Sequence, residues 1–238
     1  MRMKIFRNEK EDKSNQPRKD LLITRDFDAT EIESFKTIRT SLFFTLVNNE
    51  KCKRILVTSS VSKEGKSTVC INLALTVAQT NVKVIVIDCD LRKPRLHKFF
   101  KAKCIPGLSN YLIGRSTLDE VIKPTTENSN LSVMYSGIIP PNPAELLGSI
   151  EFKKLLDDLS QKYDYIFLDC PPLLEVSDAL EASKSTDGIL LVARHKYTSH
   201  KFINQSLKKV EFANCKILGF ILNDVPKKKN RYYYRYIT

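Results

Sequence analysis

The sequence has no tryptophan and only seven glycines among its 238 residues. It also has no apolar run near the roughly 18 residues that a membrane-spanning helix needs. The opening stretch MRMKIFRNEKEDK turns charged too early to hold the apolar segment of a secretory signal. These absences predict a soluble protein that is not exported and stays in the cytoplasm.

Patterns typical of metal-binding cysteines are missing as well. The six cysteines are widely spaced, with no Cys-x-x-Cys pair and no histidine at metal-ligand spacing. We expect reduced thiols in or near the core. The net charge of +12 admits nucleic acid or an anionic membrane as partner, but the cations are spread along the chain and would equally suit a nucleotide's phosphates.

The apolar pattern predicts one α/β domain, which suits the length of the chain. Continuous apolar runs alternate with helical stretches, as in a mainly parallel sheet buried on both faces by helices. An amphipathic helix precedes the first of these runs. The strand-like runs are RILVTSS, KVIVIDCD, LSVMYSG, YDYIFLDC, GILLVAR and KILGFILND. We expect a flexible arm over residues 1–20, the folded domain over 21–224, and a flexible, basic, tyrosine-rich tail over 225–238.

A phosphate-binding loop is predicted at SVSKEGKST, residues 60–68, between a strand and a helix. Backbone N–H groups and the positive end of a helix can point at phosphate there, with Lys66 reaching the β and γ phosphates and the Ser67 hydroxyl binding Mg²⁺. Ser60 replaces the first glycine of the strict motif. The predicted phosphate-binding residues are Ser62, Lys63, Glu64, Gly65, Lys66, Ser67 and Thr68.

Two further strands end in aspartate. Asp88 and Asp90 follow one apolar run and Asp169 ends another, at the sheet edge where open α/β folds hold their ligands. Taken singly, each aspartate could be an ordinary turn residue. Three such strand ends in one chain indicate a nucleotide site with Mg²⁺, in which Asp169 suits a position beyond the inner ligands.

Together these motifs resemble the bacterial tyrosine kinases of capsule and exopolysaccharide assembly, in the cytoplasmic form typical of Gram-positive bacteria. The likeness runs from about Thr30 to the C-terminus and includes the segment SGIIPPNPAELL from Ser136. It implies a P-loop fold of the deviant Walker, MinD-like type. It also implies an autophosphorylating protein-tyrosine kinase that uses ATP and Mg²⁺ and regulates polysaccharide synthesis and export.

The resemblance also implies residue roles. Lys66 and the loop amides would hold phosphates, Ser67 and Asp88 would organise Mg²⁺, and Asp169 would act on the metal through water. Asp90 would orient or deprotonate the attacking tyrosine. Arg92 would stabilise charge or contact the protein, and Asn223 would face adenine; an ordinary surface arginine and a turn asparagine would look the same.

Assembly is implied in the same way. The family's Glu-x-x-Arg-x-x-Arg oligomerisation motif appears here as Glu33, Lys36 and Arg39, and its tyrosine tail as Tyr232, Tyr233, Tyr234 and Tyr236. The expected partners are further copies in a ring, with each tail in a neighbour's active site, and a membrane adaptor of the polysaccharide co-polymerase type. That adaptor would recruit the kinase to the inner face of the membrane. A cognate tyrosine phosphatase is expected, and nucleic acid is not.

Two departures from the family pattern stand out. Lys63 replaces a glycine, at a cost if the loop needs a left-handed conformation there. Lys36 replaces an arginine and loses its bidentate fork.

Other functions remain open on sequence alone. A MinD/ParA-like ATPase switch without kinase activity shares much of the fold, but such proteins usually carry a lysine where Val61 stands and lack a tyrosine tail. A basic scaffold that only binds nucleotide or polyanion fits the acidic strand ends less well. The tail alone could also contact anionic lipid or RNA.

Overall fold

A computed structural model describes residues 2–7, 22, 27–47 and 52–226. Within them the strands are β1 (Arg2–Arg7), β2 (Lys53–Ser59), β3 (Val84–Asp88), β4 (Ile122–Pro124), β5 (Leu131–Met134), β6 (Tyr165–Asp169), β7 (Gly188–Arg194) and β8 (Ile217–Pro226). The helices are α1 (Ala29–Thr45), α2 (Lys66–Ala78), α3 (Leu96–Phe99), α4 (Leu108–Leu112), α5 (Leu118–Val121), α6 (Pro143–Leu147), α7 (Ile150–Leu159), α8 (Asp178–Ser183) and α9 (His200–Phe212).

The strands form one sheet in the order β1-β8-β7-β2-β6-β3-β5-β4. All neighbouring pairs are parallel except β4 and β5. The predicted mainly parallel α/β fold is therefore confirmed. Each of the six predicted strands is present, as β2, β3, β5, β6, β7 and β8.

The central strands are buried on both faces, which explains their continuous apolar sequences. All five residues of β3 and of β6 are buried. One core lies between the sheet and helices α1 and α2, and the second lies on the opposite face with α7 and α8. Such burial contributes about 25 cal/mol per Å² of apolar surface, so these two cores dominate the stability of the domain.

Helix α1 shows how local sequence sets an element's start and orientation. The Asp28 side chain accepts a hydrogen bond from the Thr30 N–H at 2.7 Å and caps the helix. Phe35, Ile38 and Leu42, at three- and four-residue spacing, form its buried stripe. The amphipathic helix predicted before the first core strand is therefore present.

The ends of the domain differ from the predicted boundaries. Residues 2–7, assigned to a flexible arm, form β1, which pairs in parallel with β8 at the edge of the sheet. The prediction was wrong there because a short edge strand with charged residues has no apolar run to reveal it. Likewise, Val225 and Pro226, assigned to the tail, belong to β8. Among the described residues, no helix combines the length and apolarity needed to cross a membrane.

The strand order decides where the site lies. Strand β6 lies between β2 and β3, and Asp169 of β6 pairs in register with Asp88 of β3. The carboxyl ends of these three parallel strands therefore meet at one edge, where the loop after β2 leads into α2.

Candidate active site

The loop from Ser60 to Gly65 has a strained backbone. Lys63 has a φ of +65° and Gly65 a φ of +88°, both in the left-handed region. The cost predicted for Lys63 is therefore present, since a side chain raises the energy of that conformation. The loop must be held in place by contacts with its surroundings.

Glu64 supplies much of that support from beneath the loop. Its side chain is buried and accepts hydrogen bonds from the Val61 N–H, at 2.9 Å, and from the Thr198 hydroxyl. Burial raises the pKa of Glu64 above its ordinary value. The Ser206 hydroxyl adds a buried hydrogen bond to Ser60 Oγ at 2.9 Å. Glu64, predicted as a phosphate-binding residue, contributes its backbone to the loop while its side chain points inward.

Asn223 closes the loop from the β8 side. Its Nδ2 donates to the carbonyl oxygen of Glu64 at 3.0 Å, and a Cβ atom at Gly65 would lie 2.1 Å from that nitrogen. A side chain at position 65 would have to displace Asn223 or the loop, besides adopting a φ of +88°. The role predicted for Asn223 was contact with adenine; the contact present is with the loop, and the adenine contact stays a prediction.

Lys66 lies at the centre of the acidic strand ends. Its Nζ is 3.0 Å from Asp90 Oδ2, 3.3 Å from Asp169 Oδ1 and 3.3 Å from Ser67 Oγ. Burial alone would lower the pKa of Lys66, but the carboxylates of Asp169 and Asp90 outweigh it and raise that pKa. The ammonium group therefore stays charged and compensates the acids around it.

Asp88 ends β3 and is fully buried. Its Oδ2 accepts the N–H groups of Arg95 and Leu96, each at 3.1 Å, and its Oδ1 accepts the Asp90 N–H at 3.2 Å. Burial, followed by the nearby Asp169 carboxylate, raises the pKa of Asp88 to about 7. Asp88 thus fixes the chain that follows β3, and its predicted role in organising Mg²⁺ stays a prediction.

Two of the three residues predicted to hold Mg²⁺, Asp169 and Ser67, have oxygen atoms that fit that ion. Asp169 Oδ2 is buried and has no hydrogen-bond partner among the residues that the structure describes, so it can accept a hydrogen bond from a water that is bound to the metal ion. Ser67 Oγ, which lies 3.3 Å from Lys66 Nζ, supplies a second hard oxygen. No group of three or more metal-binding side chains occurs in the described part of the chain. Mg²⁺ does not need one, because it usually takes one or two protein ligands together with water and substrate phosphate.

Arg92 makes a contact that the sequence did not reveal. Its Nε and Nη2 donate to the two carboxylate oxygens of Asp178, at 2.9 and 3.1 Å. Asp178 begins α8 and is fully buried, whereas the Arg92 side chain is 44% exposed. The fork of Arg92 thus pins the loop after β3 to α8, which favours the protein-contact role over direct charge stabilisation. The catalytic role remains a prediction.

Glu175 is a second residue that sequence reasoning missed. Its Oε1 accepts the Ser62 N–H at 2.7 Å, so a carboxylate occupies one of the loop amides predicted to face phosphate. A signal was available, since an acid six residues after the end of β6 reaches the same sheet edge. The cleft formed above the strand ends is lined by Ser62, Lys63, Gly65, Lys66, Ser67, Thr68, Asp90, Arg92, Lys93, Arg95, Pro171, Pro172, Glu175 and Val176.

The predicted interface residues lie on α1, away from the cleft. Glu33 and Lys36 are exposed and their charged groups are 3.7 Å apart. Arg39 donates from Nη1 to the Thr76 carbonyl oxygen of α2 at 2.9 Å. The four predicted phosphorylation sites, Tyr232, Tyr233, Tyr234 and Tyr236, lie outside the described residues.

Comparisons with known proteins agree with this geometry. A family described as an AAA domain matches residues 52–218. The chain is 36% identical to the putative tyrosine-protein kinase CapB of Staphylococcus aureus over 204 residues, covering 86% of this chain and 89% of CapB. It is 38% identical to the tyrosine-protein kinase ptk of Acinetobacter johnsonii over 212 residues. That match covers 89% of this chain and only 29% of ptk.

Solved structures also show a likeness to tyrosine kinases. The kinase domain of the Escherichia coli tyrosine kinase ETK superposes with a TM-score of 0.85 at 32% identity, covering 97% of this chain and 92% of that one. The chimerical protein CapA2B2 gives 0.84 at 31% identity, covering 94% of each chain. The cell division ATPase MinD of Pyrococcus furiosus gives 0.60 at 26% identity, covering 72% of this chain and 71% of MinD.

Proposed function

The chain belongs to the bacterial tyrosine-protein kinases, and from this membership and the site geometry we propose that it transfers the γ-phosphoryl group of ATP to tyrosine hydroxyls. The observation that carries the proposal is the position of Asp90. Its carboxylate lines the cleft 3.0 Å from the Lys66 ammonium, so a phosphate-binding cation and a candidate tyrosine-orienting acid adjoin each other.

The triphosphate would be held by the loop N–H groups, the N-terminus of α2 and Lys66. Ser67 and Asp88 would organise Mg²⁺ and Asp169 would act on it through water; the ion would supply neutralisation of charge on the phosphates. Asp90 would accept the hydrogen bond of the incoming phenol. As the tyrosine oxygen bonds to the γ-phosphorus and the bond to ADP breaks, the phenol proton passes to Asp90. Arg92 would act by holding the Asp90 loop against α8.

The role of Asp90 requires no strong base. Phosphoryl transfer proceeds through a loose transition state, in which positioning and charge neutralisation contribute most of the rate enhancement. A phenol with an ordinary pKa near 10 needs a carboxylate only while the new bond forms. The reaction therefore needs a cationic phosphate site beside an acid, and the cleft of this chain provides both.

The proposed acceptors are the chain's own tail tyrosines, Tyr232, Tyr233, Tyr234 and Tyr236, presented to a neighbouring copy. Self-assembly would use the exposed face of α1 that carries Glu33 and Lys36, with Arg39 fixing α1 to α2. A membrane adaptor of the polysaccharide co-polymerase type would recruit and activate the kinase at the inner face of the membrane. The proposed output is control of capsular or exopolysaccharide synthesis, reversed by a tyrosine phosphatase.

The ATPase switch without kinase activity has less support. Val61 cannot supply the charge that a lysine gives at that position in such proteins. The likeness to MinD is also weaker than the likeness to ETK in both superposition and coverage.

The test is intact-mass spectrometry after incubation with Mg-ATP and a fusion that carries the adaptor's cytoplasmic end. Wild type is compared with Lys66→Met and with a variant in which all four tail tyrosines are phenylalanine. Mass increments of phosphate in wild type, absent from both variants, support the proposal. ATP hydrolysis without any phosphate addition favours the ATPase switch.

A further inference from the structure

The chain after β3 is wound tightly around its own carboxylates. Asp88 accepts the N–H groups of Arg95 and Leu96, and Asp90 Oδ1 accepts the Lys93 N–H at 3.0 Å. These bonds fix the backbone from residue 90 to residue 96. The side chains of Lys93 and Arg95 therefore have a set origin, and both line the cleft. We refer to this pair as the basic rim.

The charges lining the cleft do not balance. Five of the lining residues are cations and two, Asp90 and Glu175, are acids. Lys66 is paired with Asp90, and Arg92 with Asp178 outside the lining. The lining residues outside these two ion pairs comprise three cations, Lys63, Lys93 and Arg95, and one acid, Glu175.

The basic rim has no acidic partner of its own. Within the part of the chain that the structure describes, no ion pair or side-chain hydrogen bond involves Lys93 or Arg95. Two neighbouring cations that line a cleft and have no acidic partner attract an anionic ligand.

The place of the basic rim in the sequence indicates which ligand it serves. The phosphate loop and Lys66 form the nucleotide side of the cleft. The rim instead follows Asp90, the proposed acceptor-side carboxylate, by three and five residues. An anionic group held there would belong to the segment that presents its tyrosine to Asp90.

The tail is the segment whose charge can meet this requirement, once it is modified. Residues 227–236 carry Lys227, Lys228, Lys229, Arg231 and Arg235 and no acid, so the unmodified tail has the same sign as the rim. Each phosphotyrosine adds about −1.5 to −2 charges. Because Tyr232, Tyr233 and Tyr234 are consecutive, a phosphate on one lies within a residue or two of the next acceptor.

We propose that Lys93 and Arg95 bind a phosphotyrosine of the tail while a neighbouring tyrosine is presented to Asp90, so that tail phosphorylation primes itself. The inference rests on the proposed kinase function and adds a substrate preference to it. The first phosphate is transferred slowly to a cationic tail, and the later ones faster. Two exposed ion pairs to one phosphate give roughly a three- to tenfold gain in kcat/KM.

Peptides of residues 230–238 test this directly. One peptide is unmodified, the second carries phosphotyrosine at position 234, and the third carries phenylalanine there. The enzyme is the full chain with its four tail tyrosines changed to phenylalanine, activated by the adaptor fusion. We expect the phosphorylated peptide to show a three- to tenfold higher kcat/KM than either other peptide, mainly through a lower KM.

The rim variant is Lys93→Gln with Arg95→Gln, and it should abolish the difference between the peptides. The matched control, Lys98→Gln with Lys101→Gln, removes two exposed cations that do not line the cleft and should keep the difference. A charge reversal, Lys93→Glu, should make the phosphorylated peptide the poorer substrate. Because it is a single exposed change, it keeps the test available if the double variant misfolds.

Several results would overturn the inference. Equal KM values for the phosphorylated and unmodified peptides, with both turned over, would refute priming and leave the kinase proposal standing. A rim variant that raises the KM for ATP while keeping the peptide preference would assign the rim to the nucleotide. Failure of wild type to phosphorylate any peptide or its own tail would refute the kinase proposal as well.

Discussion

A Cβ atom at position 65 would lie 2.1 Å from Asn223 Nδ2, because the phosphate loop passes directly against the end of β8. Gly65→Ala must therefore displace the loop or Asn223, besides adopting a φ of +88°. We expect loss of measurable ATP binding by isothermal titration calorimetry. Gly114→Ala is the matched control, since Gly114 has a φ of +72° and nothing within 4 Å of its Cβ position.

The control separates backbone strain from the steric clash. Both variants should lose about 1 kcal/mol or more of unfolding free energy from the left-handed backbone. Only Gly65→Ala should lose nucleotide binding, and adding Asn223→Ala should restore part of it. Equal ATP affinity in the two glycine variants would show that the contact with Asn223 does not shape the loop.

Glu175 occupies the Ser62 N–H that is predicted to bind phosphate. Its carboxylate accepts that N–H at 2.7 Å, and a triphosphate brought to the same loop meets both an occupied donor and a negative charge. We expect Glu175→Gln to tighten ATP binding about two- to fivefold, a modest effect because the side chain is exposed. The affinity for ADP, which lacks the γ phosphate, should increase less.

Titration calorimetry with both nucleotides checks the Glu175 prediction. The control is Glu181→Gln, which removes a carboxylate of α8 that is paired with Lys184. Weaker ATP binding by Glu175→Gln would mean that Glu175 holds the loop in its binding form.

Arg92 acts through Asp178 in this account. Arg92→Lys loses the bidentate fork and leaves a buried carboxylate poorly paired. Because the arginine is 44% exposed, we expect the free energy of unfolding to fall by about 1–2 kcal/mol, less than for a fully buried ion pair. Urea denaturation measures it, with the exposed Arg115→Lys as control. Unchanged stability with a reduced kcat would instead indicate direct contact with the reacting phosphate.

Asp88 makes the stability of the nucleotide-free protein depend on pH. Burial and the Asp169 carboxylate raise its pKa to about 7, above the value of the unfolded chain. The folded state then binds the proton more tightly, so the contribution of Asp88 to stability is present at low pH. That contribution is lost as pH rises from roughly 4 through 7.

Denaturation curves between pH 5 and pH 8 test the role of Asp88. Wild type should lose stability with rising pH relative to Asp88→Asn, by at most about 1.4 kcal/mol per pH unit. Lys66, Asp90 and Asp169 surround the same carboxylate and also shape the wild-type curve. Parallel curves for the two proteins would show that Asp88 does not titrate in this range.

The sequence predicted the sheet well because its strands are buried on both faces. A continuous apolar run such as Val84–Ile87, placed between helical stretches, is typical of a strand buried on both faces. A parallel sheet then brings strand ends such as Asp88 and Asp169 together. Edge strands carry no such pattern. For that reason β1 and the short β4 were not predicted.

Contacts made by long-range packing were also missed. Glu64 reads as a loop residue in the sequence, but it is buried against Thr198, which lies 134 residues further along the chain. Asp178 likewise acts on the site only because α8 folds against the loop after β3. Pairing of this kind depends on tertiary geometry, which local spacing does not encode.

The most direct test of the kinase proposal mixes two complementary variants of the chain. Neither chain can phosphorylate its own tail: one carries Lys66→Met with an intact tail, and the other is catalytically competent but has its four tail tyrosines changed to phenylalanine; both carry the activating fusion. Intact-mass spectrometry after Mg-ATP should find phosphate only on the Lys66→Met chain, because the functional site acts on a neighbour's tail. If neither chain gains phosphate while wild type hydrolyses ATP, the protein is not the tyrosine kinase proposed here.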